Sequence, residues 1–308
     1  MEPALYVSGC RSFLGEIHDI GELALDAQTR DALKQKNLRK YSDMQDYSVP
    51  TLAIAAIRKT LAAAEIPPGA VDAVVLCTSS YWYHDQLTPQ AIGLAFCEAD
   101  LAHSDIVMTS VMGCHNAVTG FRIARNLIRS EDVENVIVVT ADILNRDGTR
   151  LSDGLTLLGD GAASCLISAG RRGEYRLLDV MLHDNHRLHR YSNTGPTAQL
   201  FYIEWLRSAA KVSKELLARN GMGVRDLKVV IPNNYSAEIS QRIADAMEID
   251  AGRLIPFNPT SGHVWSSDVF IGLERVDRHF DVDDGDRIMM LGTGQQNFGA
   301  ILLEKVRS

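Results

Sequence analysis

An α/β protein made of two similar halves is the fold class this sequence predicts, and three observations predict it. Short apolar, β-prone runs alternate with longer segments of helical spacing along the chain. The order of these elements begins again after Gly170. One stretch in each half also resembles the other in plan. GCHNAVTGFRIARNLIRSEDVENVIVV from Gly113 and GHVWSSDVFIGLERVDRHFDVDDGDRIMML from Gly262 both read glycine, one polar residue, helix, acidic turn, apolar strand.

Taken in order, the first half predicts strands at Ala4–Ser8, Ala73–Thr78, Ile106–Ser110, Asn135–Thr140 and Ala162–Ser168. Helices are predicted between them at Val49–Ala64, Thr88–Glu98 and Cys114–Ile128. The second half predicts a strand near Tyr175–Leu182, a long helix near Gln199–Asn220, a strand at Lys228–Ile231 and a helix at Ala237–Met247. A strand near Arg253–Ile255, a helix from His263 to about Phe280, and strands at Arg287–Leu291 and Gly299–Glu304 complete it. No Pro/Gly-rich linker separates the halves between residues 165 and 180, so 1–170 and 171–308 are expected to pack as one unit.

The chain of 308 residues is 46% hydrophobic and 23% charged, enough for an ample core and far from the composition of a disordered chain. A net charge of −8 with scattered Lys and Arg gives no sign of a nucleic-acid or anionic membrane surface. The start MEPALYVSGC has no basic segment followed by a long apolar core, and no later run approaches the roughly 18 apolar residues of a membrane span. A cytoplasmic protein is the expectation. Five cysteines with no CxxC pattern point away from a disulfide framework and from a cysteine zinc site. Cys77 and Cys165 fall in strand-like runs and are expected in the core.

Cys114 is different, because it stands between a glycine and the start of a helix, just after the strand-like DIVMTS. A thiol there faces backbone N–H groups and the positive end of the helix dipole, which favour thiolate. A lone cysteine is most often simply buried, so context has to decide. The internal echo supplies it. Two similar α/β halves pack about a pseudo-twofold axis, which would bring the equivalent helices together near the axis. Ala117, Gly120 and Ala124 permit close contact there, and the register sets Cys114 opposite His263. A cysteine beside an imidazole is an activated nucleophile.

At this point the sequence resembles the thiolase superfamily, and within it the ketoacyl-acyl-carrier-protein synthase III-like enzymes. The resemblance covers almost the whole chain. It rests on Cys114 with NLIRS and ENVIVVTADIL after it, on LLGDGAASCLI at 157–167, on VVIPNNYSAEI at 229–239, and on NPTSGHVWSSD followed by GTGQQNFGAILLE. It implies two βαβαβαββ halves in a five-layered αβαβα arrangement, a homodimer, and a cysteine at the first central helix that becomes acylated. It also implies an oxyanion hole made by the backbone N–H groups of Cys114 and, in GTGQQNFG, of Gln295.

Two departures bear on function. Family members usually place a histidine after the proline of the segment corresponding to VVIPNNYS, and an asparagine after the glycine of TSGHVW. Here the types are exchanged, with Asn233 after Pro232 and His263 after Gly262. Decarboxylative condensation needs two donors aimed at one enolate, whereas acyl transfer needs a thiolate, one base and an oxyanion hole. The residues that clasp the nucleotide of coenzyme A also lack counterparts: Asp31, Gln35 and Ser152 stand where aromatic or basic residues are usual. A donor tethered to an acyl carrier protein is therefore expected over a coenzyme A thioester.

The remaining signals are weaker. HDNHRLH at 183–189 spaces three histidines by three, but no carboxylate or cysteine completes a ligand set, and no metal or cofactor is expected. His115 could rival His263 as the base, but it follows Cys114 by about 100° of helix and is expected to stand behind the site or to pack. Asp160 is expected as a turn residue at a strand entry. YWYHD at 81–85 reads equally as a pocket wall or as a packed loop. GTGQQNFG precedes a strand, not a helix, so it is no dinucleotide fingerprint. Asp268 lies five residues past His263, with its orientation open. The expectation is an acyltransferase that moves an acyl group from a carrier or coenzyme A thioester through Cys114 to a hydroxyl or amine of a small molecule. His263 would be the base and acid, and Asn233 would orient the imidazole or donate to the thioester oxygen. The alternatives are a decarboxylative 3-oxoacyl synthase and a non-catalytic partner subunit.

Overall fold

The computed structural model describes residues 3–82, 87–130, 133–144, 149–152 and 156–306. The strands are β1 (Leu5–Leu14), β2 (Glu16–Asp19), β3 (Lys40–Asp43), β4 (Ala73–Cys77), β5 (Asp105–Thr109), β6 (Asn135–Asp142), β7 (Leu151–Ser152), β8 (Thr156–Leu157), β9 (Gly161–Ser168), β10 (Tyr175–Asp184), β11 (Leu227–Pro232), β12 (Arg287–Thr293) and β13 (Asn297–Lys305). The helices are α1 (Ala27–Gln35), α2 (Val49–Ala64), α3 (Pro89–Cys97), α4 (Asn116–Ser130), α5 (Ala198–Arg219), α6 (Ala237–Met247), α7 (Asp268–Glu274) and α8 (Val276–His279).

The two halves repeat one topology. In the first, the sheet runs β5-β4-β6-β9-β1, with β4 parallel to β5 and β6, and β9 antiparallel to β6 and β1. In the second it runs β11-β12-β13-β10, with β11 parallel to β12, and β13 antiparallel to β12 and β10. The strand expected at Arg253–Ile255 is reduced to a single parallel bridge from Leu254 to Val230, preceded by a 3-10 turn at Ala251–Arg253. It still occupies the edge place that β5 holds in the first half. Short antiparallel pairing of β1 with β10, Leu5 to Leu177 through Val7 to Tyr175, joins the half-sheets into nine strands.

Helices α4 and α7 lie between the half-sheets. Their ring pair Phe121 and Phe270, centroids 5.7 Å apart, belongs to a core that draws side chains from β4, β6, β9, β11, β12 and β13. Helices α2 and α3 cover the outer face of the first half-sheet, and α5 and α6 that of the second. The result is the five-layered αβαβα arrangement. Continuous apolar strands such as Ala73–Cys77, every residue buried, are what a sheet covered on both faces requires. Gly120 explains the close approach of α4: a Cβ there would come 2.6 Å from Cys77 Sγ and 2.7 Å from Val138. Cys77 and Cys165 lie in the core, fully buried.

Two predicted helices begin differently. The segment expected as a helix from Cys114 starts with a 3-10 turn, Gly113–His115. The one expected from His263 to Phe280 is broken: His263 forms a bridge with Leu158, a 3-10 turn spans Trp265–Ser267, and α7 and α8 follow, interrupted at Arg275. The antiparallel β2/β3 pair, α1 and the β7/β8 pair were not predicted, being short and, in β2 and α1, largely exposed. Asp160 stands at the entry to β9, fully buried. It pairs with Arg150 at 2.9 Å and accepts the N–H groups of Met44 (3.1 Å) and Leu144 (2.8 Å), which is structural duty. Among the described residues no helix is long and apolar enough to cross a membrane.

Candidate active site

The strand β5 ends at Thr109, and the chain turns into α4 through Gly113, whose φ of +54° suits glycine. Asn116 fixes this turn by accepting the Met112 N–H at 3.3 Å. The turn leaves Cys114 half-buried at the wall of a cavity of about 410 Å³. Of the other cysteines, Cys10, Cys77 and Cys165 are buried, with burial pushing their thiols up, and Cys97 is exposed elsewhere.

His263 enters from the opposite side of the α4/α7 layer. Gly262 has φ +70°, and a Cβ there would meet Leu157 O at 2.6 Å. This close approach lets the His263 N–H donate to Leu157 O (2.7 Å) and its carbonyl accept from Gly159 N (3.0 Å). The imidazole, 1% exposed, is thereby strapped to the β8–β9 connection, with Nε2 3.1 Å from Cys114 Sγ. Its Nδ1 bonds to Asp268 Oδ2. Asp268 is the first residue of α7, a favourable place for a carboxylate. It also accepts the N–H of Val264 (2.8 Å) and of Asn234 (2.6 Å). Burial works against a charged His263 ring, but the negative charges of Asp268 and of the Cys114 sulfur outweigh it and raise the imidazole to about 10. The ring therefore carries a proton at neutral pH.

Asn233, expected to orient the imidazole or to donate to the thioester oxygen, makes no hydrogen bond to the imidazole. Its side chain is fully buried and committed to backbone. Nδ2 donates to Cys114 O (3.3 Å) and Trp265 O (3.1 Å), and Oδ1 accepts from Thr293 N (2.8 Å) and Thr293 Oγ1 (3.2 Å). Thus Asn233 ties the Cys114 turn, the His263 segment and the end of β12 together. The Trp265 it holds has φ +49°, a strained conformation for a bulky residue. The imidazole is oriented by Asp268 instead, because the break after His263 turns the first residue of α7 back toward the ring.

Gln295 borders the same cavity as Cys114, in the hairpin between β12 and β13, and so does Ser152. The lining combines aromatic rings (Phe201, Trp205, Tyr235, Trp265) with neutral polar side chains such as Ser79, Thr156 and Asn297. Among the described residues it includes no Asp, Glu, Lys or Arg. His115 points elsewhere: it is fully buried near Gly292 and Gly299, and burial lowers it to about 4, so it is neutral. Of YWYHD, Tyr81 is exposed and residues 83–85 lie outside the described residues. HDNHRLH divides between the end of β10 and a 3-10 turn at His186–Arg190, and among the described residues no group of three His, Cys, Asp or Glu could hold a metal ion.

Sequence reasoning did not find Tyr235, whose ring centroid is 4.4 Å from that of His263, and it left Asp268 open. An acid at the start of an apolar helix, five residues after the histidine, was the one available signal for Asp268. For Tyr235 there was none.

Comparison with known proteins agrees with this fold. The family profile of 3-oxoacyl-[acyl-carrier-protein] synthase III matches residues 110–185, and that of its C-terminal part matches residues 217–304, together more than half of the chain. A β-ketoacyl-[acyl-carrier-protein] synthase III of Rhizorhabdus wittichii is 24% identical over 295 residues, covering 89% of this chain and 90% of the relative. Among solved structures, the 3-oxoacyl-[acyl-carrier-protein] synthase III of Aquifex aeolicus superposes with a TM-score of 0.82 at 19% identity, over 97% of this chain and 99% of the other. The acyltransferase ChlB3 superposes with a TM-score of 0.81 at 19% identity, over 99% and 98%. At such identities the two structures establish the fold.

Proposed function

The chain belongs to the ketoacyl-acyl-carrier-protein synthase III-like branch of the thiolase superfamily, and from that premise we propose that it is a ping-pong acyltransferase delivering an acyl group to a small-molecule hydroxyl or amine. The observation that carries this reading is the division of labour around the sulfur. His263, backed by the buried Asp268, faces Cys114 Sγ at 3.1 Å, while both N–H groups of the Asn233 amide are taken by backbone carbonyls. One proton carrier suffices for transfer. Condensation calls for a second donor on the enolate.

In the first half-reaction the Cys114 thiolate attacks the thioester carbon, and the oxyanion faces the N–H groups of Cys114 and Gln295. Collapse expels the pantetheine thiolate, which takes the proton from the His263 imidazolium. Acylation removes the negative charge from the sulfur. One of the two charges that raised the imidazole is gone, so the ring becomes a base just when the acceptor needs one. The acceptor O–H or N–H then gives its proton to Nε2 as its heteroatom attacks the acyl carbon. The thiolate leaves and the ion pair is restored.

Apart from the Cys114–His263 pair the cavity lining is uncharged and rich in aromatic rings, which suits an uncharged acceptor and acyl chain. The donor is a carrier-protein or coenzyme A thioester. The open edge of β5, with Ile106 and Met108 each 38% exposed and Val111 64% exposed, is where two copies would pair as a homodimer; a monomer in light scattering that still turns over would refute that part.

A second reading has its own support: the curated relative and the Aquifex structure bear the name of a condensing synthase. One paired assay separates the two. Wild type and Cys114→Ala are incubated with acetyl, hexanoyl and benzoyl thioesters of pantetheine, coenzyme A and a carrier protein, and the adduct is located by mass. Carbon dioxide release from malonyl thioesters is followed in parallel. Transfer from Cys114 to an alcohol or amine without carbon dioxide is expected. Coupled decarboxylation with a 3-oxoacyl product would install the condensing reading, and an adduct that survives Cys114→Ala would remove both.

A further inference from the structure

The imidazole of His263 is gripped at its two nitrogens, by Cys114 Sγ and by Asp268. Both contacts lie at the ring's edge, and neither by itself stops the ring plane from tilting. Among the described residues the nearest aromatic ring is Tyr235, in the loop between β11 and α6, with centroids 4.4 Å apart and planes at 49°; Trp265 is more distant at 6.4 Å.

Tyr235 is itself fixed. Its hydroxyl donates to Thr293 O at 2.5 Å, and Thr293 is the residue whose N–H donates to Asn233. Its ring meets Trp205 edge-on at 6.0 Å, and Trp205 Nε1 donates to Gly294 O at 2.8 Å. The phenol oxygen is thus held by Thr293 and borders the Cys114 sulfur, and what faces His263 is the ring. An aromatic ring attracts a neighbouring cation, more strongly where water is excluded.

We propose that Tyr235 is a positioning residue for His263, its aromatic ring and not its hydroxyl holding the imidazole plane in line with Cys114 Sγ and favouring the protonated ring. The inference rests on His263 being the proton carrier of the proposed acyltransferase. The titratable groups facing the ring are Cys114 from the turn before α4, Asp268 from α7, and Tyr235 itself. In a Cys114→Ala background the sulfur is removed and Asp268 is common to every variant, so a change at position 235 reads the ring alone.

The test is a titration by NMR of protein labelled with ¹³C at histidine Cε1, the His263 signal being assigned by its loss in His263→Asn. Tyr235→Phe is expected to keep the midpoint of the parent. Tyr235→Leu should lower it by about 0.5 to 1.5 units, the size of a cation–aromatic contact at a partly desolvated site. Tyr235→Met serves as a second non-aromatic replacement should the leucine variant fail to fold, with circular dichroism as the check. An unchanged midpoint in the non-aromatic variants, or an equal fall in Tyr235→Phe, would overturn the proposal. The titration needs no substrate, so it stands or falls independently of whether Cys114 in the wild type accepts an acyl group by mass.

Discussion

The turn that carries Cys114 and the turn that carries His263 occupy equivalent places in the two halves, and each is entered through a glycine of positive φ, Gly113 at +54° and Gly262 at +70°. Beyond the glycine they diverge. The first runs through one 3-10 turn into the unbroken 15-residue helix α4 and leaves its sulfur half-buried on the cavity. The second halts at a bridge to Leu158, passes the strained Trp265, and reaches only the seven-residue α7, with its imidazole 1% exposed. A nucleophile must meet substrates that come and go, so it sits in the turn that leads into a rigid helix, at an open wall. The base meets the sulfur, a carboxylate, the Tyr235 ring and one proton at a time. It can be buried, and the broken helix turns Asp268 back onto it.

The largest expected effect breaks the comparison at the base. His263→Ala should lower turnover on the order of 10²–10⁴-fold, the range of a positioned acid–base group. Slow acylation of Cys114 should persist, because the helix N-terminus and the oxyanion donors still act on the first half-reaction. Single-turnover acylation followed by mass, set beside steady-state transfer, measures both. Equal loss in the two would mean that His263 is needed chiefly to form the thiolate, and the two turns would not divide the work as described.

A smaller effect should follow from Asp268→Asn, on the order of 10²-fold in turnover, since the amide removes one of the two charges that hold the imidazolium. Its pH signature has a definite sign. The His263 imidazole is raised in the folded protein from an ordinary 6.5 to about 10, so the stability it contributes is full below about pH 6.5 and is lost as pH rises toward about 10. Wild type should therefore lose stability across that window, and the variant should lose less. Urea unfolding at pH 6 and pH 9.5 gives the two slopes. Parallel losses in both proteins would show that the carboxylate does not hold the charge on the ring.

These two residues also show where sequence reading stops. The alternation of elements and the repeat after Gly170 were legible because sheets covered on both faces need continuous apolar strands, and apolar runs are visible in one dimension. Cys114 and His263 were legible as a pair because glycine-then-polar-residue recurs in both halves. The break after His263 was not, since VWSSDVF carries no Pro and keeps an apolar period, and only the bridge to Leu158 and the turn at Trp265 end the regular path. With that break hidden, Asp268 could not be aimed. Asn233 was found as a polar residue in the right segment, but its hydrogen bonds go to three backbone stretches distant in sequence, at Cys114, Trp265 and Thr293. Such partners leave no local pattern.

The smallest expected effect on the chemistry, and the one that sharpens the comparison most, comes from that asparagine. Asn233→Ala leaves the buried Thr293 N–H and the carbonyls of Cys114 and Trp265 without the partners they have now, at about 1–3 kcal/mol for a buried orphan. Global stability should fall by about 2–4 kcal/mol as the three segments loosen. Acylation should slow by about tenfold, because misplacing the turn by a fraction of an ångström costs less than deleting a proton carrier. The alkaline limb of Cys114 alkylation by iodoacetamide should not move, since Asn233 hydrogen-bonds to neither Sγ nor the imidazole. Asn233→Asp makes the point from the other side: a carboxylate still accepts from Thr293 but faces two carbonyls with no hydrogen to offer, so it should destabilise at least as much as alanine. A variant that keeps full stability yet shifts the alkaline limb, or stops acylation altogether, would place Asn233 in the proton traffic beside His263 and join the roles that the two turns keep apart.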